Sequence, residues 1–228
     1  MNFSDEIIDA LSIDCVIFGF KDAELFVLLV KHADGITKGQ WALPGGWIKY
    51  NEGVHQAANR ILTTQTAVEN IFLEQFHTFG DVDRFPLKRV ITVCYYALAN
   101  IESVKLHAGA SVSEVKWINV AKVPKMAFDH SDIFSKCFKH LQHKVQHEPI
   151  GFNLLPKKFT LLQLQELYEA ILGVKLDKPN FRRKMIKMNL LIPCEEKQNA
   201  VSHRAAQLYR FDKKVYDKLI HAGFSFEV

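Results

Sequence analysis

Hydrophobic and polar positions in the first 150 residues follow strand and helix periods in turn. Apolar runs at 12–20 and 24–31, separated by the turn-like Lys21-Asp22-Ala23, predict two paired strands. Apolar residues at 54, 57, 58 and 61 have helical spacing and predict a helix over 53–66. Further strands are predicted at 71–79, 89–99 and 113–120, and a second helix at 131–146. This mixture of elements indicates an α+β domain.

The pattern changes after His147-Glu148-Pro149-Ile150-Gly151, where Pro and Gly predict a boundary. We therefore expect two domains, 1–148 and 149–228. In the second, Thr160 and Gln163 have the spacing of a capping box, and Gly173 is placed to end the helix that they begin. Another helix is predicted over 180–188 after Pro179, and two strand-like segments follow it.

Charge divides the chain at the same boundary. Residues 151–228 hold 14 Lys and Arg against 8 Asp and Glu, whereas residues 1–150 hold 15 against 17. A basic last third beside a slightly acidic body is typical of a nucleic-acid-binding region, although a solvated basic surface has the same composition.

Composition and motifs favour a cytoplasmic globular protein. Hydrophobic residues make up 48% of the chain, and no apolar run approaches the ~20 residues of a membrane span. The acidic start Met1–Glu6 lacks the basic region of a signal peptide. Four scattered cysteines indicate neither disulfides nor a zinc site, and His140, His143 and His147 lie in a Lys- and Gln-rich helix that favours a solvated surface. We expect no metal and no cofactor.

One loop and helix resemble the Nudix box, G-x5-E-x7-R-E-U-x-E-E-x-G-U. Gly46, Glu52 and Arg60 match its first three fixed positions. The resemblance implies a Nudix-like α/β/α sandwich, in which glutamates on the helix bind Mg²⁺ or Mn²⁺. Those glutamate positions are Ile61, Thr64 and Gln65 here, and the glycine position is Ala67. The sequence therefore predicts the fold without hydrolysis, and Arg60 is expected to tether the loop to the helix.

Other segments resemble the NrtR-type transcription regulators, among them 78–84, 93–98 and 126–130 in the body and 155–160, 167–173 and 180–184 beyond it. That family joins a Nudix-like domain to a winged helix-turn-helix domain. Because its Nudix box lacks the metal-binding glutamates, the chain resembles most the arabinose-responsive, AraR-like branch of Bacteroidetes. The candidate effector-binding residues are the charged groups Asp81, Arg84, Arg89, Asp129 and His130, since charged side chains are seldom buried without a partner. A plain salt bridge is the alternative to ligand contact for each of them.

The predicted helix over 180–188 separates basic from apolar positions. Asn180, Arg183, Lys184 and Lys187 share one face, while Phe181, Met185 and Met188 share the other. A basic face carrying an asparagine is what a recognition helix in a major groove requires. The full set of candidate DNA-binding residues adds one flanking arginine and three residues of a predicted wing: Asn180, Arg182, Arg183, Lys184, Lys187, Lys197, His203 and Arg204.

The leading hypothesis is a homodimeric regulator that binds a palindromic double-stranded operator and is released by a small metabolite, L-arabinose or another sugar. Three alternatives stay open. The first is a regulator that senses ADP-ribose. The second is a metal-dependent hydrolase of nucleoside-diphosphate sugars that uses carboxylates outside the box, such as Glu69 or Glu74. The third is an RNA-binding or protein-interaction module.

Overall fold

The computed structural model describes residues 10–198 and 205–221, which form two units. The first unit holds residues up to 19 together with 26–138, and the second holds 20–25 and the residues from 139 onwards. The tip of the first hairpin and the last part of a long helix thus group with the second unit. Within the described residues no helix is both long and apolar enough to cross a membrane.

The first unit is built on a seven-stranded sheet. Its strands are β1 (Leu11–Lys21), β2 (Glu24–His32), β3 (Trp41–Ala42), β4 (Gly45–Trp47), β5 (Glu74–Phe79), β6 (Ile91–Asn100) and β7 (Val112–Asn119). The main order is β3-β2-β1-β6-β5, with β4 paired to β1 and β7 to β2. Asp22 and Ala23 both have positive φ in the turn between β1 and β2, as a two-residue hairpin connection of type I′ requires.

Two helices cover opposite faces of this sheet: α1 (Val54–Thr66) and α2 (His130–His147). Side chains alternate between the two faces of a strand. Ile13, Cys15 and Ile17 of β1 accordingly belong to the core cluster that includes the buried residues of α1. Phe18, on the other face, contacts Phe134 of α2 at a ring distance of 6.3 Å. This is the predicted α/β/α sandwich.

The second unit has the elements of a winged helix. They are β8 (Phe159–Thr160), α3 (Leu161–Leu172), α4 (Lys178–Lys187), β9 (Leu191–Lys197), β10 (Gln207–Phe211) and α5 (Lys213–His221). β10 is the central strand of the sheet β8-β10-β9. The capping box of Thr160 and Gln163 begins α3 with both reciprocal hydrogen bonds, and Gly173 ends it at φ 71°. These predictions are confirmed.

The sequence analysis did not predict α5, the short strands β3, β4 and β8, or the 3₁₀ turns Ile101–Ser103, Val120–Lys122 and Pro149–Leu154. It placed the start of α4 two residues late. Asp177 caps that helix by accepting a hydrogen bond from the backbone N–H of Asn180, and Pro179 lies inside its first turn. The boundary at 148/149 stays a prediction.

Candidate ligand cavity and nucleic-acid interface

A cavity of about 200 Å³, called the inner cavity from here on, opens in the first unit. It lies between β1, β4, the 84–92 segment and the start of α2. Its polar lining comes from residues far apart in the chain: Ser12, Asp14, His32, Arg84, Thr92, Asp129 and His130. Pairing of β1 with β6 brings Ser12 and Thr92 close enough for their hydroxyl groups to be hydrogen-bonded.

Arg84 organises the charged part of the inner cavity. Its guanidinium donates Nε and Nη2 hydrogen bonds of 2.9 Å to the two carboxylate oxygens of Asp129, in a bidentate pair. Nη1 donates to the Thr92 hydroxyl at 2.5 Å, and Nη2 lies 3.5 Å from a carboxylate oxygen of Asp14. The Arg84 side chain is only 5% exposed, so it is fixed by partners on three sides.

His130 has a defined tautomer. The backbone N–H of Leu43 donates to its Nδ1 at 3.0 Å, which requires a lone pair there. The ring proton is therefore on Nε2, which faces Asp14 at 3.5 Å. Burial lowers the pKa of the neighbouring His32, which also lines the cavity. Among the charged side chains of the lining, the two carboxylates of Asp14 and Asp129 outnumber the single guanidinium of Arg84.

The first residue of β4, Gly45, lies against Asp14 in the lining of the inner cavity. A Cβ atom on Gly45 would meet a carboxylate oxygen of Asp14 at 2.2 Å, so only glycine fits at that position. Phe128, on the other wall, has φ 50°, which is unusual for a bulky residue and is typical of ligand sites. Its ring lies 4.9 Å from that of Phe85, which meets Trp47 edge-on at 5.9 Å.

Glu52 and Arg60 of the Nudix box form an ion pair. Arg60 Nε donates to one oxygen of Glu52 at 2.7 Å and Nη2 to the other at 2.5 Å, while Nη2 also reaches the carbonyl of Trp47. The hydrogen bonds from Arg60 hold the pKa of Glu52 at about 2. This confirms that Arg60 tethers the loop to α1.

The three positions that carry glutamates in a Nudix box serve packing and loop anchoring. Ile61 is 2% exposed within the core, and the Thr64 hydroxyl donates to the carbonyl of Ile61 at 3.2 Å. The Gln65 amide accepts from Gly45 N–H at 3.1 Å and donates to Gly45 C=O at 2.8 Å. Divalent cations of this class need several anionic oxygens, so these residues do not fit a metal centre.

The candidate effector-binding residues fall into two groups. Arg84, Asp129 and His130 line the inner cavity. Asp81 and Arg89 lie outside its lining, where Arg89 donates to the carbonyls of Asp81 and Gly80 and so shapes their loop. Sequence reasoning missed Ser12, Asp14, His32 and Thr92. An aspartate inside an apolar strand was the available signal for Asp14, which is 4% exposed.

The second unit holds α3 and α4 together through a tightly bonded turn. The carboxylate of Glu169 accepts from Lys175 Nζ at 2.8 Å, from Gln165 Nε2 at 2.9 Å and from the backbone N–H of Leu176 at 3.0 Å. These donors, Lys175 first, lower the pKa of Glu169 to about 2. The rings of Tyr168 and Phe181 pack 5.5 Å apart and join the two helices. These hydrogen bonds and this ring contact connect the two helices of the helix-turn-helix.

The exposed face of α4 carries four of the candidate DNA-binding residues: Asn180, Arg183, Lys184 and Lys187. Phe181 and Met185 are buried on the opposite face, as the wheel predicted, and Met188 is half-buried. Arg183 donates a hydrogen bond to the side-chain oxygen of Asn180. Arg182 is half-buried, and its Nε has no hydrogen-bond partner among the described residues.

The predicted wing is an antiparallel hairpin of β9 and β10. Lys197 is exposed at the end of β9. His203 and Arg204 lie outside the described residues. Of the carboxylates considered for a residual hydrolase, Glu74 accepts a hydrogen bond from the Tyr96 hydroxyl at 2.8 Å and Glu69 is exposed. Neither lines the inner cavity.

Comparison with known families divides the chain as the fold does. Residues 9–137 match the NUDIX domain family, and residues 151–211 match the family described as the NrtR DNA-binding winged helix domain. The chain is 33% identical to the ADPR responsive transcriptional repressor NtrR of Acinetobacter baylyi over 211 residues, which are 91% of this chain and 84% of the relative.

Two solved structures are similar as well. The crystal structure of Shewanella oneidensis NrtR complexed with a 27mer DNA has a TM-score of 0.78 and 32% identity, over 95% of this chain and 97% of that one. The NUDIX domain of the same protein complexed with ADP ribose has a TM-score of 0.57 and 34% identity, over 61% of this chain and 94% of that one.

Proposed function

Because this chain belongs to the NrtR-type family of Nudix-related transcription regulators, we propose that it is a DNA-binding repressor whose Nudix domain binds ADP-ribose without hydrolysing it. The observation that carries the proposal is the pairing, in one chain, of a polar cavity in the Nudix domain and a helix-turn-helix with an exposed basic face. The first gives a receptor for a small ligand, and the second a surface for a duplex.

The DNA-binding part of the proposal is supported by α4. Its apolar side packs on α3 while Arg183, Lys184 and Lys187 face solvent, so a major groove can receive the helix without disturbing the core. The net charge of +6 over residues 151–228 adds attraction to phosphates. The Shewanella relative was crystallised on DNA.

ADP-ribose is proposed in place of arabinose. The Acinetobacter relative is described as responsive to ADPR, and the Shewanella NUDIX domain was crystallised with ADP ribose. None of the relatives compared supports the arabinose-responsive branch. The inner cavity suits the ribose of such a ligand, because the carboxylates of Asp14 and Asp129 accept hydrogen bonds from hydroxyl groups. L-Arabinose remains the comparison ligand for the test.

Absence of hydrolysis follows from α1. In place of metal ligands it presents a buried isoleucine, a threonine bonded to its own helix and a glutamine bonded to Gly45. Glu52, the one carboxylate of the box, is paired with Arg60. Without a cation to neutralise a pyrophosphate and activate water, the bound ligand stays intact.

Regulation requires that ligand binding to the Nudix domain changes DNA binding by the winged helix domain. We propose a homodimer that reads a palindromic operator with two copies of α4, and an effector that weakens this binding by about 5–150-fold, the usual range of allosteric coupling. Reciprocity then demands that operator DNA weaken effector binding by the same factor.

Titration calorimetry with and without operator, using ADP-ribose and L-arabinose in parallel, tests the proposal. Operator is first selected from random duplexes. We expect ADP-ribose alone to bind, more weakly in the presence of operator, and to be recovered unchanged after incubation with millimolar Mg²⁺. Equal affinity in both states would remove ADP-ribose as effector, binding of arabinose alone would restore the sugar hypothesis, and turnover abolished by Glu52→Gln would make the chain an enzyme.

A further inference from the structure

A second cavity adjoins the inner cavity and shares Trp47 with it. This outer groove has a volume of about 420 Å³ and is lined by residues of β1, of the loop after β4 and of the 84–92 segment. Ligand pockets commonly have ~300–1,000 Å³, so the inner cavity alone, at about 200 Å³, is small for a nucleotide. The two together reach that range.

The two cavities differ in charge. In the inner cavity Asp14 and Asp129 face one guanidinium, that of Arg84, and Nδ1 of the nearby His130 accepts a hydrogen bond from Leu43 N–H. A phosphate placed there would meet a net negative charge, whereas sugar hydroxyls would find acceptors. The inner cavity therefore selects the uncharged end of a ligand.

The outer groove is basic and aromatic. Lys49 and Lys88 line it together with Trp47 and Tyr50. The Nζ atom of Lys88 lies 5.9 Å from the centre of the Trp47 ring. Trp47 is 49% exposed and Tyr50 fully exposed, although large aromatic side chains usually lose most of their surface on folding. Exposed rings beside two ammonium groups provide stacking for a base and countercharge for phosphates.

Hydrogen bonds fix the loop that carries Trp47 and Lys49. Arg60 donates to the carbonyl of Trp47, and Glu52 accepts from the backbone N–H of Lys49 at 2.8 Å. Glu52 is itself paired with Arg60, which fixes the carboxylate that holds this loop. The groove is consequently shaped before a ligand arrives, which lowers the entropic cost of binding.

We propose that the outer groove binds the diphosphate of a nucleoside-diphosphate sugar, with Lys49 and Lys88 as its counterions where a Nudix enzyme uses a divalent cation, and that the terminal sugar enters the inner cavity. This assignment rests on the proposed function and extends it, because it fixes the direction of the ligand and makes binding independent of metal. The base stacks on the exposed rings of Trp47 and Tyr50.

Calorimetry in EDTA on the full chain tests the assignment with two probes, ADP-ribose and inorganic pyrophosphate. The variant is Lys49→Gln with Lys88→Gln, and the matched control is Lys38→Gln with Lys125→Gln, two exposed lysines that line neither cavity. We expect the protein to bind ADP-ribose without metal, the variant to lose about tenfold or more in affinity for both probes, and the control to stay within about twofold. Thermal unfolding of all three proteins verifies that they fold equally.

The outcomes separate the two levels of the hypothesis. Unchanged ADP-ribose affinity in the lysine variant, or a requirement for Mg²⁺, overturns the groove assignment and leaves the proposed effector in place. If the unmodified protein binds no ADP-ribose, the proposed effector is wrong. The binding of inorganic pyrophosphate then tests the assignment of the outer groove by itself. Pyrophosphate binding that falls in the variant supports the groove, while no binding at millimolar concentration overturns it.

Discussion

The side-chain amide of Gln65 is bonded to both polar backbone groups of Gly45: its oxygen accepts from the N–H and its nitrogen donates to the C=O. One uncharged side chain thus attaches the first residue of β4 to the end of α1, a contact called the Gln65–Gly45 clamp from here on. An amide can do this because it carries a donor and an acceptor on neighbouring atoms. A carboxylate offers acceptors alone.

Gln65→Glu is therefore expected to destabilise the protein by about 1–3 kcal/mol at neutral pH, since the Gly45 carbonyl loses its donor and faces a negative oxygen. Urea unfolding measures the change. Lowering the pH protonates the new carboxyl group, restores a donor and should narrow the difference from the unmodified protein. Gln75→Glu, at an exposed position of β5, is the control and should change stability by less than about 0.5 kcal/mol. Equal losses of stability from Gln65→Glu and Gln75→Glu would contradict the role of the two Gln65–Gly45 hydrogen bonds.

Arg183→Ala and Lys184→Ala on α4 should each weaken operator binding by about 1–3 kcal/mol if their side chains read base edges. Lys197→Ala in the wing should weaken binding to all duplexes alike and reduce the slope of log affinity against log salt by about 0.9 for one lost phosphate contact. Fluorescence anisotropy at several salt concentrations measures both. Lys125→Ala in the first unit is the control, and full operator affinity in the Arg183/Lys184 double variant would remove α4 as the recognition helix.

Ala67 ends α1 in the left-handed region, at φ 61°, where the Nudix box has glycine. A Cβ atom there costs about 1–2 kcal/mol, so Ala67→Gly should stabilise the protein by about 1 kcal/mol after the higher chain entropy of glycine is included. Thermal unfolding gives the sign. The same substitution at Ala170, inside α3, should lower stability by about 1 kcal/mol. If Ala67→Gly and Ala170→Gly both lower stability, the left-handed conformation of Ala67 is not a source of strain.

Glu169 should make the helix-turn-helix sensitive to acid. Its pKa is about 2 in the folded protein against an ordinary value of 4.5, so its contribution is complete above pH 4.5 and is lost as the pH falls towards 2. Glu169→Gln is expected to lower stability at pH 7, with a difference that shrinks between pH 4.5 and 2. Glu166 provides the opposite sign, because burial raises its pKa, and Glu166→Gln should not lower stability at pH 7. Urea unfolding from pH 2 to 7 distinguishes them.

The sequence predicted those elements whose hydrophobic period and terminal signals agree. α1 and α3 begin and end within about one residue of their predicted limits, since the spacing of apolar residues and the capping box act locally. α5 was not predicted although it is amphipathic, because it follows β10 after a single residue and no proline or glycine in the sequence separates the helix from the strand. β3 and β4 have two and three residues, too few to show the alternation of polar and apolar positions that marks a strand.

The inner cavity was predictable only in part. Arg84, Asp129 and His130 were singled out by charge and by resemblance, and the structure brings them together. Ser12 and Thr92 reach the cavity only through the pairing of β1 with β6, which strand periodicity does not reveal. The Gln65–Gly45 clamp could not be predicted for the same reason, since it joins a helix to a strand residue 20 positions earlier.

If the protein acts as proposed, the neutral contact between Gln65 and Gly45 has a physiological consequence. A sensor that requires bound Mg²⁺ reports two concentrations at once, that of its metabolite and that of the free ion. Here the position of a metal ligand is filled by an amide that is satisfied on both sides, so β4 and the end of α1 are joined by a neutral contact in place of a bound ion. Occupancy of the site should then follow the metabolite alone, which gives the promoter a signal undisturbed by magnesium depletion.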